Sequence, residues 1–139
     1  MSEAPDAAVG ARRPKEVLER FLIAVQAGDF ETVAGCFSPE VVVHEPAGIV
    51  VGGEHTGFDG WASMMTQLGQ TYDLKVSSYE IVEADDRAFL MWTPTFTARA
   101  TGRSADIRAI EVYQITDGLI VDIDVYYKEP GVLAGLLAP

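Results

Sequence analysis

One acidic side chain interrupts an otherwise apolar row in the alternating segment 104–116. If this segment is a β-strand, one of its faces carries Ile107, Ala109, Glu111, Tyr113 and Ile115. Burial raises the pKa of a carboxyl group, and so does a second acid nearby. Glu111 is therefore a candidate proton donor, or a base that acts near neutral pH.

Glu111 also has a purely structural interpretation. A buried carboxylate is costly unless it is neutralised or hydrogen-bonded. The sequence therefore leaves open a pairing of Glu111 with Arg108, with Arg103 or with a backbone amide. Both interpretations place the carboxyl inside the protein. They differ in whether another group of the chain already forms an ion pair or a hydrogen bond with it.

The strands on either side of this segment predict apolar surroundings for Glu111. The preceding strand presents a face made of Leu90, Trp92, Pro94, Phe96 and Ala98. The following strand presents Val121, Ile123, Val125 and Tyr127, with Asp122 and Asp124 on its opposite face. Together the three strands predict a bowl of aromatic and aliphatic side chains with Glu111 inside it.

A second carboxyl, that of Glu45, ends a short predicted strand over 40–45, directly before Pro46. Proline holds the residue before it in an extended conformation, which directs the side chain of Glu45 to one side of the sheet. Paired with Glu111 across an apolar pocket, Glu45 could take part in acid/base chemistry. The alternative is two structural acids in a ligand-binding cup.

Helical spacing predicts the elements that cover this sheet. A first helix begins at Pro14 and ends at Gly28, and Asp29 is a natural N-cap for a second helix over 30–37. A third helix carries an apolar stripe at positions i, i+3, i+4 and i+7, namely Trp61, Met64, Met65 and Leu68. A small C-terminal helix is predicted over 132–137.

Four long strands are predicted after the third helix, over 73–83, 87–99, 104–116 and 119–128. The turns between them contain Asp85-Asp86, Thr101-Gly102 and Asp117-Gly118. The glycine-rich segment 47–57 is predicted to be a loop with a short strand at 49–51. This order indicates an α+β fold, in which a curved antiparallel sheet and three helices from the N-terminal half enclose a pocket.

Composition limits the classes of function. The 139 residues predict one domain over 14–139, preceded by a flexible tail over 1–13. A formal net charge of −11 disfavours binding to nucleic acid or to anionic membranes. No apolar run is long enough to span a membrane, no secretory signal is evident and there is one cysteine, so we expect a cytoplasmic location.

Two segments, 19–29 and 43–48, carry a family resemblance. The first reads ERFLIAVQAGD and the second VHEPAG. A helix with a Gly-Asp turn, followed by an acid-Pro-x-Gly motif, resembles the SnoaL-like and ketosteroid isomerase-like branch of the nuclear transport factor 2 (NTF2-like) superfamily. The resemblance extends over most of 14–137 and implies a cone-shaped α+β fold with a pocket.

The resemblance also implies roles for the two acids. Glu45 matches the general base of the isomerases, and Glu111 matches the protonated acid that binds an oxyanion. The isomerases carry a tyrosine on the first helix where this chain has Phe21, so the resemblance does not extend to steroid isomerisation. The related epoxide hydrolases use an Asp-Arg-Asp set, whose partner positions hold Ala109 and Val125 here.

These observations predict a cofactor-independent enzyme that isomerises, cyclises, dehydrates or opens an epoxide in a hydrophobic, cyclic or polyketide-like small molecule. The alternative is a non-catalytic module that binds a hydrophobic ligand. The catalytic candidates are Glu45 and Glu111. The predicted substrate-binding residues are Phe21, Trp61, Met64, Met65, Trp92, Phe96, Tyr113, Ile123, Val125 and Tyr127.

Two further features concern metals and partners. His44 should face away from Glu45, and His55 lies in the loop expected to cover the pocket mouth; their spacing matches no zinc motif, so no metal is predicted.

The outer face of the sheet carries Phe89, Met91, Ile110, Val112 and Tyr126. A contiguous apolar patch predicts a partner surface, here a homodimer through this face.

Overall fold

Two helices form a hairpin at the start of the computed structural model, which describes residues 12–139. Helix α1 (Pro14–Ala27) ends at Gly28, whose φ of 70° is the left-handed conformation that glycine adopts without strain. Helix α2 (Phe30–Cys36) begins after Asp29, whose carboxylate accepts hydrogen bonds from the backbone N and the hydroxyl of Thr32. The predicted N-cap is confirmed.

Within the described residues, six strands form the main sheet. They are β1 (Phe37–Glu45), β2 (Gly53–Thr56), β4 (Tyr79–Ala84), β5 (Arg87–Trp92), β8 (Ala109–Thr116) and β9 (Leu119–Tyr127). Their order across the sheet is β2-β1-β9-β8-β5-β4. All neighbours are antiparallel except β1 and β9, which run parallel. The sheet is curved and unclosed, and the α+β cone predicted from the sequence is confirmed.

Each of the first three long predicted strands is interrupted. Three shorter strands, β3 (Tyr72–Lys75), β6 (Thr95–Ala98) and β7 (Ser104–Asp106), form a second sheet in the order β3-β6-β7. The interruption between β5 and β6 contains Pro94, which lacks an amide hydrogen for a strand ladder. The carbonyl of Pro94 instead accepts a hydrogen bond of 3.0 Å from the amide of Ile107, which lies in the gap between β7 and β8.

The glycine-rich segment after β1 differs from the prediction. Residues 49–51 form turns, whereas the strand of this region is β2, which pairs antiparallel with β1. Ile49 and Val51 are nevertheless buried, so the apolar run that suggested a strand reflects packing of the loop onto the core. Helix α3 (Gly57–Thr71) follows, and helix α4 (Pro130–Gly135) overlaps the C-terminal helix predicted over 132–137.

A bulge changes one predicted face of β9. Gln114 of β8 pairs with Asp122, but its neighbour Ile115 pairs with Ile120, so Val121 is the extra residue. Ile120 is fully buried and Val121 is half-buried, which corrects the expectation that Val121 faces the bowl. Beyond the bulge the predicted alternation holds, with Ile123 and Val125 buried and Asp122 and Asp124 on the other face.

The three N-terminal helices pack on the sheet and close its concave side. Helix α1 contacts β4, β5 and β8, while α2 and α3 contact β1. On the outer face, Phe89, Met91, Ile110 and Val112 are half-buried, and Tyr126 is 56% exposed. The homodimer through this face stays a prediction.

Arg13, the residue before helix α1, contacts both the sheet and the first turn of the helix. Its guanidinium forms an ion pair with Glu83 on β4, and its amide donates to the carboxylate of Glu16 over 3.0 Å. Residues 1–11 of the predicted tail lie outside the described residues. Within the part of the chain that the structure describes, no helix has both the length and the apolar character needed to cross a membrane.

Candidate active site

The concave face of the main sheet, α1, α3 and β3 enclose a cavity of about 200 Å³. Every residue named above as catalytic or substrate-binding lines it. These are Glu45, Glu111, Phe21, Trp61, Met64, Met65, Trp92, Phe96, Tyr113, Ile123, Val125 and Tyr127. The structure thus brings all twelve together, and their roles in binding and catalysis stay predictions.

The two carboxyls belong to one row of side chains that crosses three strands. Glu111 of β8 pairs with Val125 of β9, and His44 of β1 is in register with Asp124, so Glu45 lies beside Val125. Strands are spaced by about 4.8 Å, which places the Cα atoms of Glu45 and Glu111 roughly 10 Å apart. Val125 therefore occupies the floor between the two acids.

Glu111 has a partner that the sequence did not suggest. The hydroxyl of Tyr113, two residues along the same strand face, donates a hydrogen bond of 2.5 Å to Oε1 of Glu111. The arginines considered above point elsewhere, since Arg108 donates to Thr93 and Arg103 to the carbonyl of Pro139. The pairing of Glu111 with an arginine is wrong, and its partner is a phenol inside the cavity.

Glu45 contrasts with Glu111, because its Oε1 is buried and has no hydrogen-bond partner among the described residues. Burial raises the pKa of Glu45 from 4.5 to about 8, and the neighbouring charge of Glu111 adds to the increase. Burial also raises the pKa of Glu111, to about 6, but the hydrogen bond from Tyr113 favours the charged form and limits that increase.

The indole Nε1 of Trp92 is the second buried side-chain polar atom without a hydrogen-bond partner in residues 12–139. Trp92 lies on the wall of the same cavity as Glu45. Buried hydrogen-bond donors and acceptors in native proteins are nearly always paired, and a buried group left without a hydrogen bond costs about 1–3 kcal/mol. An acid and an N–H group without partners, both on the wall of one apolar cavity, are typical of a site that receives a polar group from a ligand.

The cavity wall contains acids and phenols but, within the described residues, no lysine, arginine or histidine. Tyr127 lies near both carboxyls, and burial together with their charges raises the pKa of its hydroxyl, so the phenol is neutral. The aromatic rings of Phe21 and Tyr113 are 5.8 Å apart, which holds the Tyr113 ring against α1. A phenol therefore enters the cavity from the sheet, opposite Phe21.

The two histidines lie outside this cavity. His44 faces away from Glu45, as predicted, and contacts Asp122 at 2.7 Å and Glu54 at 3.1 Å. His55 does not lie at the pocket mouth; it lies on β2, and its Nε2 contacts the carbonyl of Val51 at 2.7 Å. That contact ties the turn at 49–51 to the neighbouring strand.

Several further residues line the wall. Leu90 belongs to the bowl predicted from the strand alternation, and Leu68 belongs to the apolar stripe of the third helix. The wall residues not predicted from the sequence are Leu22, Val25, Gln26, Val43, Leu74 and Val76. Val43 follows from the alternation already used for Glu45, so the sequence does carry a pattern for it. Leu74 and Val76 follow no such pattern, because their place at the cavity depends on how the second sheet packs.

Residues 18–123 match the model of the SnoaL-like domain family. The chain belongs to the SnoaL-like domain family. This membership confirms the family expected from segments 19–29 and 43–48.

Solved structures share the fold of this SnoaL-like protein at low sequence identity. An NTF2-like protein from Burkholderia thailandensis E264 has a TM-score of 0.81 and 21% identity, over 92% of this chain and 99% of its own. A protein from Silicibacter sp. TM1040, proposed to be a polyketide cyclase, has a TM-score of 0.75 and 21% identity, over 90% and 95%. TerC, co-crystallised with polyporic acid, has a TM-score of 0.74 and 17% identity, over 86% and 94%.

No curated protein sequence matches the SnoaL-like chain significantly. The solved structures establish its fold, and the side chains of its own cavity carry the information on its chemistry.

Proposed function

We propose that this SnoaL-like protein is a cofactor-independent acid/base enzyme that moves a proton on a neutral, hydrophobic small molecule. The observation that carries the proposal is the pair Glu45 and Glu111, two acids with raised pKa values on one wall of an apolar cavity. Perturbed carboxyls in a cleft are typical of catalytic acids and bases, since their pKa values lie nearer the working pH.

The charges of the cavity support a neutral substrate. An anionic substrate would face Glu111 with no cation among the described wall residues to offset its charge. Isomerisation, cyclisation and dehydration can each be catalysed by an acid and a base without a cofactor, since the bonds that form and break lie within the substrate and the protein only moves protons. Epoxide opening is less well supported, because Ala109 and Val125 are buried apolar residues at the positions where the related epoxide hydrolases carry polar partners.

Two relatives support a cyclic or polyketide-like substrate. The Silicibacter protein has been proposed to be a polyketide cyclase, and TerC was co-crystallised with polyporic acid. Aromatic residues line the cavity of the present protein, among them Phe21, Trp61 and Phe96, and such rings suit a flat, apolar substrate.

Proton exchange tests the proposal without knowledge of the natural substrate. A panel of neutral hydrophobic ketones is incubated with the protein in D₂O, and deuterium uptake next to the carbonyl is followed by NMR. We expect uptake with the wild type, and a loss of at least about 100-fold in Glu45→Gln and in Glu111→Gln. Glu80→Gln, the same change at an exposed residue of β4, is the matched control and retains full activity.

The alternative is a non-catalytic module that binds a hydrophobic ligand, and the largely apolar wall favours it. Ligand-detected NMR with the same ketones separates the two functions. Binding with no exchange in the wild type, together with unchanged binding in Glu45→Gln and Glu111→Gln, would identify a binding module. Exchange that both variants retain would also overturn the enzymatic proposal.

A further inference from the structure

We infer that Tyr113 gives the two carboxyls opposite roles, with Glu111 as the proton acceptor and Glu45 as the neutral hydrogen-bond and proton donor. The inference rests on the proposed function and deepens it. It reverses the roles that the family resemblance implied, in which Glu45 is the base and Glu111 the neutral acid.

The first support is the geometry of the Tyr113–Glu111 pair. The phenol donates to Oε1 of Glu111 over 2.5 Å, a length typical of a hydroxyl bound to an ionised carboxylate. The Tyr113 side chain is 2% exposed and packs against Phe21, and Glu111 is the acceptor that its hydroxyl has in the structure. This hydrogen bond is therefore present before any ligand binds, and it stabilises a negative charge on Glu111.

The second support is the surroundings of Glu45. Its buried Oε1 has no donor among the described residues, so a negative charge there would be uncompensated. A protonated carboxyl at the same place has a hydrogen to donate. The geometry thus favours the neutral form of Glu45 and the charged form of Glu111. Both pKa values are raised, to about 8 for Glu45 and to about 6 for Glu111, which agrees with that order.

Among residues 12–139, no other charged group that faces the cavity reverses this order. The sheet contributes Glu45, Glu111, Tyr113 and Tyr127, and both phenols have pKa values above the ordinary range because they are buried. The described wall residues of α1 and α3 are apolar except for Gln26, which is neutral, and Leu74 and Val76 of the segment after α3 are apolar. Tyr113 is therefore the one wall group of the described chain that distinguishes the two acids by a direct hydrogen bond.

The assignment specifies a balanced step for a neutral ketone. The carboxylate of Glu111 takes a proton from the carbon next to the carbonyl, and the electrons of that C–H bond form the C=C bond of an enol. The carbonyl π electrons move to oxygen, which receives the proton of Glu45. Return of a proton from Glu111 to carbon, and of the enol proton to Glu45, restores both acids.

Tyr113 is a positioning residue in this scheme, and Tyr113→Phe tests it by a readout other than activity. The carboxyl carbons of both glutamates are titrated by ¹³C NMR, with assignments from Glu45→Gln and Glu111→Gln. In the wild type we expect Glu111 to ionise at lower pH than Glu45. In Tyr113→Phe the pKa of Glu111 rises, and the lower-pH limb of the exchange reaction moves upward by the same amount.

Tyr126→Phe is the matched control. Tyr126 donates to Asp124 over 2.6 Å with the same two-residue spacing, but on the exposed face of β9. Its loss should leave both cavity titrations unchanged. A wild type in which Glu45 ionises first, or a Tyr113→Phe variant whose Glu111 titration does not move, would overturn the inference.

The two proposals fail separately. The expected titration order with no exchange in any ketone would remove the enzymatic function and leave the Tyr113 pairing intact. Exchange that depends on both glutamates, with the opposite titration order, would retain the enzyme and return the roles to those of the related isomerases.

Discussion

Tyr113 and Glu111 lie two residues apart on β8 and are joined inside the cavity by a hydrogen bond of 2.5 Å. Tyr126 and Asp124 repeat this spacing on the neighbouring strand β9, where their bond of 2.6 Å is exposed to solvent. The local geometry is the same, but water competes for the outer pair and not for the inner one. The inner hydrogen bond therefore stabilises the charged form of Glu111 more than the outer one stabilises the charged form of Asp124.

The free energy of unfolding should fall as pH rises between the pKa of Glu45 in the unfolded chain and its pKa in the folded protein. In this range Glu45 is neutral when folded and charged when unfolded. An unfolded glutamate ionises near 4.5, whereas folded Glu45 ionises at about 8. Between these values the folded state binds more protons than the unfolded state, so stability is present at low pH and is lost as pH rises. The loss is roughly 1.4 kcal/mol for each unit of pKa difference.

Glu45→Gln isolates this contribution. Chemical denaturation at several pH values between 4.5 and 8 should show a shallower decline for Glu45→Gln than for the wild type, so that the variant gains relative stability toward pH 8. Glu80→Gln, at an exposed position, should follow the wild type. Parallel curves for all three proteins would mean that Glu45 is solvated in the folded state.

Val125→Phe should block the cavity while leaving both acids in place. Val125 lies between Glu45 and Glu111 on the cavity floor, and a phenyl ring there occupies part of the space of about 200 Å³. We expect ligand binding to weaken by more than about tenfold, with a stability change within the roughly 1–3 kcal/mol typical of overpacking. Val121→Phe, at the half-buried bulge of the same strand, is the control. Undiminished ketone binding in Val125→Phe would show that ligands bind elsewhere.

Asp122→Asn should lower the pKa of His44. The hydrogen bond to Asp122 is the main cause of the raised pKa of this imidazole. The charged imidazole therefore stabilises the folded protein at pH values below the ordinary pKa of 6.5. This contribution to stability is lost as pH rises through the raised pKa. NMR titration of the His44 ring should show a clear decrease in Asp122→Asn and a smaller one in Asp124→Asn. Equal shifts in the two variants would mean that the hydrogen bond has no special contribution.

Strand alternation was sufficient to predict that Glu111 faces the interior, because its neighbours Ala109 and Tyr113 are apolar or aromatic on the same face. The cap at Asp29 and the turn at Asp117-Gly118 depend on local backbone preferences, and both were also predictable. Positive φ values at Asp117 and Gly118 agree with the hairpin turn expected there.

Features that depend on packing between distant elements were not predictable. The displacement of Val121 arises where β9 accommodates an extra residue, and no local pattern marks it. Pro94 does mark a break in its strand, because proline lacks an amide hydrogen for the ladder, but it does not indicate that the chain continues into a second sheet. The Tyr113–Glu111 bond was missed for a different reason. Charge pairing favoured Arg108, but the alternation of the strand directs that side chain to the opposite face.

The parallel pairing of β1 with β9 has a consequence for how the protein is made. His44 and Asp122, which meet across this pair, are 78 residues apart in the chain. Glu45 therefore joins Glu111 only after the last strand has been synthesised and has inserted between β1 and β8. Contacts of such long sequence separation form slowly and at a high entropic cost. The two acids thus face one cavity only after β9 has joined the sheet, and a chain that has not yet placed β9 has no acid pair.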